Sequence, residues 1–270
     1  MNETIGYAAL NSAEQLKPFK FNRREVGPAD VAFDISHCGI CHSDLHQLNG
    51  DWGSEIYPMV PGHEVVGRVT SVGAKVTKFK PGQLVGVGCM VDSCQDCSSC
   101  HENEEQFCEE GATFTYNGED KHLGGVTYGG YSKKMVVDEA FVLKMPENLD
   151  LAASAPLLSA GITTYSPLKR AGIGPHSKVG VVGLGGLGHM AVKIAAAMGA
   201  QVVVISRTLA KKTDAMALGA TEYLSADDQD ALTNAANSFD FILDTVSAQH
   251  DINQLFSLPA YALDSTKVTF

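Results

Sequence analysis

Four cysteines, Cys94, Cys97, Cys100 and Cys108, follow the spacing C-x2-C-x2-C-x7-C. This spacing constrains the fold because it can set four thiolates at the corners of one tetrahedron within a single lobe, about residues 89–110. Structural zinc sites take four soft ligands and leave no open position. Ligands this close in sequence also keep the entropy of loop closure small. Disulfides fit less well, since no secretory signal precedes the cluster and a chain of 270 residues needs no staples. An iron–sulfur cluster is the other rival. The ferredoxin run, however, ends in C-x3-C-P, whereas here the last gap is longer and Glu109 follows Cys108.

With 44% hydrophobic residues the chain can bury a core, and its length suits one large or two ordinary domains. It carries 31 acidic against 20 basic residues, a net charge of −11. No basic run exceeds a pair such as Lys211-Lys212, so a nucleic-acid partner is not expected. The start, Met1-Asn2-Glu3-Thr4, does not read as a signal peptide. The most apolar stretch, Val179 to Ile205, is interrupted by His189, Lys193 and several glycines, which makes it a poor membrane span. Seven cysteines without an export signal point to a reducing cytoplasm and to metal chemistry.

Two patterns divide the chain into expected domains at 1–150 and 151–270. In the first, Val31, Phe33 and Ile35 alternate with Ala32, Asp34 and Ser36, as in a half-buried strand. Val65–Val69 and Leu84–Val87 read as further strands, punctuated by Pro61-Gly62 and Pro81-Gly82. Many short strands joined by such turns predict a barrel-like or sandwich domain, with the cysteine lobe as an excursion. In the second, strands at Val179–Val182, Gln201–Ile205, Glu222–Leu224 and a longer one at Phe239–Val246 alternate with helices. One helix ends at Gly199 and another spans Lys211–Leu218. Alternation of this kind predicts a parallel α/β sheet.

Gly183, Gly185 and Gly188 fit G-x-G-x-x-G between a strand and a helix, with Gly186 inside the loop. The first glycine permits a tight turn, the second lets backbone approach a pyrophosphate, and the third allows the helix to pack closely. The helix N-terminus then offers unpaired N–H groups to phosphate. An NAD site would place Asp or Glu at the end of the next strand. Here Ser206-Arg207 stand there, with Lys211 just beyond. A hydroxyl and cations suit a 2′-phosphate, so NADP is the expected cofactor.

A second constellation runs from His37 to His46 and includes Cys41, His42, Ser43 and Asp44; Gly62-His63-Glu64 follows later. A Cys and a His from separate loops with a carboxylate beside them can form an open catalytic zinc site. The segments Cys38–His46, Val60–Gly67, Gly88–Cys108, Ala155–Leu168 and Val179–Gly199 together resemble the zinc-dependent medium-chain alcohol dehydrogenases, in their cinnamyl alcohol dehydrogenase-like branch. That resemblance implies a GroES-like β-barrel domain with a structural zinc lobe, then a Rossmann domain, and interconversion of alcohols and aldehydes with NADP. It makes Cys41 and His63 catalytic zinc ligands and Glu64 a carboxylate able to reach the metal. It assigns Ser43 to the substrate oxygen, His46 to proton transfer toward solvent and Asp44 to orienting His63. It also places His42 near the cofactor phosphates and Thr163 near the nicotinamide, and Cys94, Cys97, Cys100 and Cys108 on the structural zinc. Cys38 and Cys89 receive no role and are expected to be buried. Trp52 and Tyr57 are candidate pocket aromatics or core residues.

The chain departs from the family at the third catalytic zinc ligand, a cysteine there and Ser159 here. A serine hydroxyl is a poor soft ligand. Glu64 can complete the site instead, and a weakened or absent catalytic zinc is expected. The rival reading is a catalytically dead NADP-binding protein that keeps only the structural zinc. Lys267-Val268-Thr269-Phe270 reads as the start of a further strand; the resemblance implies more sheet strands beyond it, so the Rossmann part is expected to be truncated and to lack the strand by which family members form homodimers.

Overall fold

Alternation at Val31 and Phe33 produces an interior strand of an antiparallel sheet. The structure, a computed structural model, describes residues 2–12 and 14–260 and the backbone of Val268–Thr269. Strand Asp30–Cys38 lies between Lys134–Asp138 and Val65–Val72, and Leu84–Val87 and Leu143–Lys144 complete the sheet. Val31, Phe33, Val65, Val69, Val85, Val87, Met135 and Val137 form its buried face. Each fully buried side chain of this size contributes about 1.5–3 kcal/mol. The register slips between Ile35 and His37, and the strand ends at Cys38. The chain then enters helix His42–Asn49. The pair Met90–Asp92 and Thr113–Phe114 brackets the cysteine lobe. These elements belong to a unit that the contacts extend from Met1 to Ser159, so the short helix Leu151–Ser154 and the 3-10 turn Ala155–Leu158 pack with the strands.

The second unit, Ala160–Phe270, is a parallel sheet in the order Glu222–Ser225, Gln201–Ser206, Lys178–Val182, Phe241–Asp244, Val268–Thr269. Both faces are covered. Val202 and Val204 pack on the side of Ala191, Val192 and Ala195 from helix Gly186–Ala197. Val203 and Ile205 face Leu232, Leu255 and Leu258. A strand buried on both faces reads as a continuous apolar run, which is how Gln201-Val-Val-Val-Ile appears. The helix expected from Lys211 begins at Lys212, after a 3-10 turn Leu209–Lys211.

The strand expected at Phe239–Val246 is shorter, Phe241–Asp244. Phe239 leaves the ladder to bridge Pro259. At the other end the Asp244 carboxylate accepts from the Val246 amide at 3.0 Å and turns the chain. Val268–Thr269 pairs in parallel with Ile242–Leu243, as expected of a further strand there. Lys267 and Phe270 lie outside the described residues.

Candidate functional site

The lobe sulfurs of Cys94, Cys97, Cys100 and Cys108 all lie within 4.8 Å of one another. Cys94 and Cys100 are 3.8 Å apart, Cys97 and Cys100 3.5 Å. A zinc–thiolate tetrahedron with bonds of about 2.3 Å has edges of about 3.8 Å, so the donor set and spacing fit zinc. Backbone amides of Cys97 and Glu109 point at the sulfurs of Cys94 and Cys97, at 3.3 and 3.4 Å. The Cys94 amide points at Cys108 Sγ at 3.4 Å. Such donors favour thiolate, and the Glu109 and Cys94 amides draw the Cys97 and Cys108 thiols down.

Within the same unit, donor atoms of Cys41, His63 and Glu64 also lie within 4.8 Å of one another. Cys41 caps helix His42–Asn49, and the Asp44 carboxylate reaches back to the Cys41 amide at 2.9 Å, a capping box. Asp44 is wholly buried. It also accepts from the Gly62 amide (3.1 Å), from Tyr131 OH (3.1 Å) and from His63 Nδ1 (3.1 Å). Gly62 stands at φ +102°, and a Cβ there would lie 2.6 Å from the Tyr131 ring, so only glycine carries the chain into His63 at this point. Tyr116 stacks on the His63 ring, with centroids 5.8 Å apart.

Electrostatics follow from that geometry. Burial raises the Asp44 carboxyl, but the His63 ring and the Cys41 amide outweigh it and hold it below the usual range. Burial lowers His63, yet Asp44 and the Cys41 sulfur overcome this and push the ring up to about 10. The hydrogen bond from His63 in turn lowers Cys41. The two shifts favour a Cys41 thiolate beside the His63 ring, and thiolate and imidazole are both zinc ligand types.

Sequence reasoning missed the two tyrosines because Tyr116 and Tyr131 lie far along the chain from Cys41 and carry no motif. It also missed Asp51, whose carboxylate holds His46 Nδ1 at 2.7 Å. Ser43 Oγ is 3.6 Å from Cys41 Sγ. The exposed Trp52 stacks on His46 at 5.5 Å, and the Tyr57 hydroxyl donates to the Leu48 carbonyl at 3.1 Å. His42 is exposed, 4.9 Å from the His46 ring. Ser159 is buried directly after Leu158, which packs with Val66 and Met145. The Leu158 carbonyl would lie 2.7 Å from a Cβ on Gly88, so this turn runs against the strand that leads to Cys89. Cys38 is half-buried and its thiol is pushed up to about 12 by burial. Cys89, expected to be buried, is exposed, because it follows the end of strand Leu84–Val87 where the sheet no longer covers it.

In the second unit a cavity of about 300 Å³ is lined by Gly183, Gly185, Ser206, Arg207 and Lys211, and by Thr245–His250 across from them. Gly183 turns at φ +84° and faces Val246, which a Cβ would approach to 2.7 Å. Gly186 starts the helix, and Gly188 lets it lie against the Gly183 carbonyl. Lys211 Nζ donates to the Leu184 carbonyl at 2.9 Å. Thr163 is exposed on helix Ala160–Arg170 and is not among the lining residues. Among the described residues no helix is long and apolar enough to cross a membrane.

Residues 27–147 match the alcohol dehydrogenase GroES-like domain, and residues 186–263 the zinc-binding dehydrogenase domain. An NADP-dependent alcohol dehydrogenase of Mycolicibacterium smegmatis is 52% identical over 259 residues, covering 96% of this chain and 74% of the relative. A cinnamyl alcohol dehydrogenase of Sorghum bicolor superposes with a TM-score of 0.91 at 48% identity, over 96% of this chain and 74% of that one. The cinnamyl alcohol dehydrogenase of Helicobacter pylori, solved with NADP(H), gives 0.89 at 44% identity, over 96% and 73%.

Proposed function

The chain belongs to the zinc-binding alcohol dehydrogenases with a GroES-like domain, and from that premise we propose that it interconverts an alcohol and an aldehyde with NADP(H) as hydride carrier. The observation that carries this reading is the meeting of Cys41, His63 and Glu64 around one point, with Asp44 fixing the ring of His63 from behind. Cys41, His63 and Glu64 would hold a catalytic zinc, with Ser159 in place of a second thiolate. When bound, the ion polarises the substrate oxygen as a Lewis acid. Ser43 hydrogen-bonds that oxygen and moves its proton. His46 passes the proton toward solvent, and Asp51 steadies the imidazolium that forms. His63 Nδ1–H stays on Asp44, which fixes the tautomer that leaves Nε2 free to ligate.

Cys94, Cys97, Cys100 and Cys108 hold a structural zinc with no position left for substrate. Ser206, Arg207 and Lys211 take the 2′-phosphate of NADP, and Gly183, Gly185, Gly186 and Gly188 take its pyrophosphate. His42 and Thr163 keep the roles toward the cofactor that the family resemblance gives them. Both clusters need free thiols, which suits the reducing cytoplasm, and all seven cysteines are unpaired. Ser159 supports one other reading, a protein that binds NADP and the structural zinc without turnover. NADPH oxidation with an aliphatic and an aromatic aldehyde decides between them. Turnover that disappears in Cys41→Ala supports the enzyme, and no turnover in a folded, zinc-supplemented chain supports the rival.

A further inference from the structure

His250 closes one side of the cavity that Gly183, Arg207 and Lys211 line. Its ring touches two acceptors. Nδ1 lies 2.8 Å from the Ala248 carbonyl, and Nε2 lies 2.7 Å from Asp244 Oδ2. A carbonyl oxygen cannot donate, so the Ala248 contact takes an N–H at Nδ1. A carboxylate at Nε2 takes a second one. A neutral imidazole has a single N–H and can satisfy only one of them. Asp244 is buried, and its other oxygen is engaged by the Val246 amide at 3.0 Å. Loss of the ring proton would therefore leave either the buried Asp244 carboxylate or the Ala248 carbonyl against a nitrogen lone pair, and so release one of the two contacts.

These contacts tie both ends of one loop. Asp244 ends the strand Phe241–Asp244, and Thr245 bonds the Val182 carbonyl through its amide (3.0 Å) and its hydroxyl (2.8 Å). Val246 packs against Gly183 at the phosphate turn. His250 then folds the far end of the loop back onto Asp244. We propose that His250 is a positioning residue of the dinucleotide pocket, held as an imidazolium that fixes the loop Thr245–His250, so that NADP(H) affinity falls as this ring loses its proton. The inference rests on the dinucleotide reading of the cavity.

The charges that face the ring are Asp244 from the strand and Asp251 beside it in sequence; Arg207 and Lys211 line the same cavity. The Ala248 carbonyl raises the ring most; burial lowers it, and the Asp244 carboxylate and Asp251 bring the balance above the ordinary imidazole value. The sign follows: the folded value is the higher one, so the tie is complete below the ordinary imidazole value and is lost as pH rises through the raised one.

The test has two parts, both on the full chain. NMR titration of the His250 ring in the free protein should show it protonated above the ordinary range, and Asp244→Asn should bring it down. NADPH titration from pH 6 to 9 should show binding weakening by about tenfold, the worth of one charged hydrogen bond. In His250→Gln, NADPH should bind at the weak level throughout, with that pH dependence gone. A His250 ring that titrates in the ordinary range, or affinity curves that run parallel in wild type and His250→Gln, would overturn the proposal. Absence of NADPH binding at every pH with the expected ring titration would overturn the pocket assignment and the link to affinity, while the titration still establishes the proton-held loop.

Discussion

The two thiolate clusters of the first unit are built in opposite ways. The lobe draws Cys94, Cys97, Cys100 and Cys108 from one short stretch and steadies their charge with backbone amides and, at Cys100, the Ser93 hydroxyl. The Cys41–His63–Glu64 cluster draws its members from separate loops and steadies them with a wholly buried carboxylate, Asp44, that also ties Gly62 and Tyr131. Four like sulfurs would satisfy an ion completely and leave the first cluster no role but to hold the chain. One sulfur, one imidazole and one carboxylate leave room for a fourth, exchangeable ligand, as catalysis requires. The cost of openness is that the supporting groups must supply the order that the ligands do not. Asp44 and the tyrosines fill that place.

The difference can be broken most severely at the lobe. Cys97→Ser should release its ion and with it a binding term on the order of 10 kcal/mol in small zinc domains. The expected result is a large drop in the melting temperature that added zinc does not restore. At the other cluster the sensitive point is the support. Asp44→Asn removes a buried charge from His63 and should destabilise the fold by about 3 kcal/mol and weaken ion binding there by about 10–100-fold. Denaturant melts and a competition titration with a chelator measure the two effects.

Acid should separate the clusters further. The metal-free His63 ring keeps its proton up to about pH 10, and an ion must displace it. Affinity at Cys41–His63–Glu64 should therefore fall by about tenfold per pH unit on acidification. In the metal-free protein the same shift is stabilising below the ordinary imidazole value near 6.5 and is lost as pH rises through about 10. The smallest expected change is a gain. Ser159→Cys should supply a second thiolate and tighten zinc at this cluster by about tenfold without altering the lobe. An unchanged affinity in a folded variant would place Ser159 outside the ion's reach.

What was legible in the sequence tracks how local each interaction is. The lobe can be read from spacing because its ligands and their amide donors all fall in one short stretch, Cys94 to Glu109. The Gly183–Gly188 turn can be read because a strand, a tight turn and a helix follow in order. The Asp44 hub can be read only in part: its capping contact to Cys41 is local, whereas Tyr131 reaches it from far along the chain. Phe239–Val246 misled because apolar residues continue past the point where an Asx turn ends the strand. Cys89 misled because the residue type favours burial while its position, just past a strand end, does not.

The central claim is that Cys41, His63 and Glu64 form a second ion site distinct in kind from the lobe, and zinc counting tests it most directly. The account predicts two zinc ions per chain in the purified, zinc-supplied protein and one in Cys41→Ala, with the lobe ion retained in both. One zinc per chain in both proteins would contradict it.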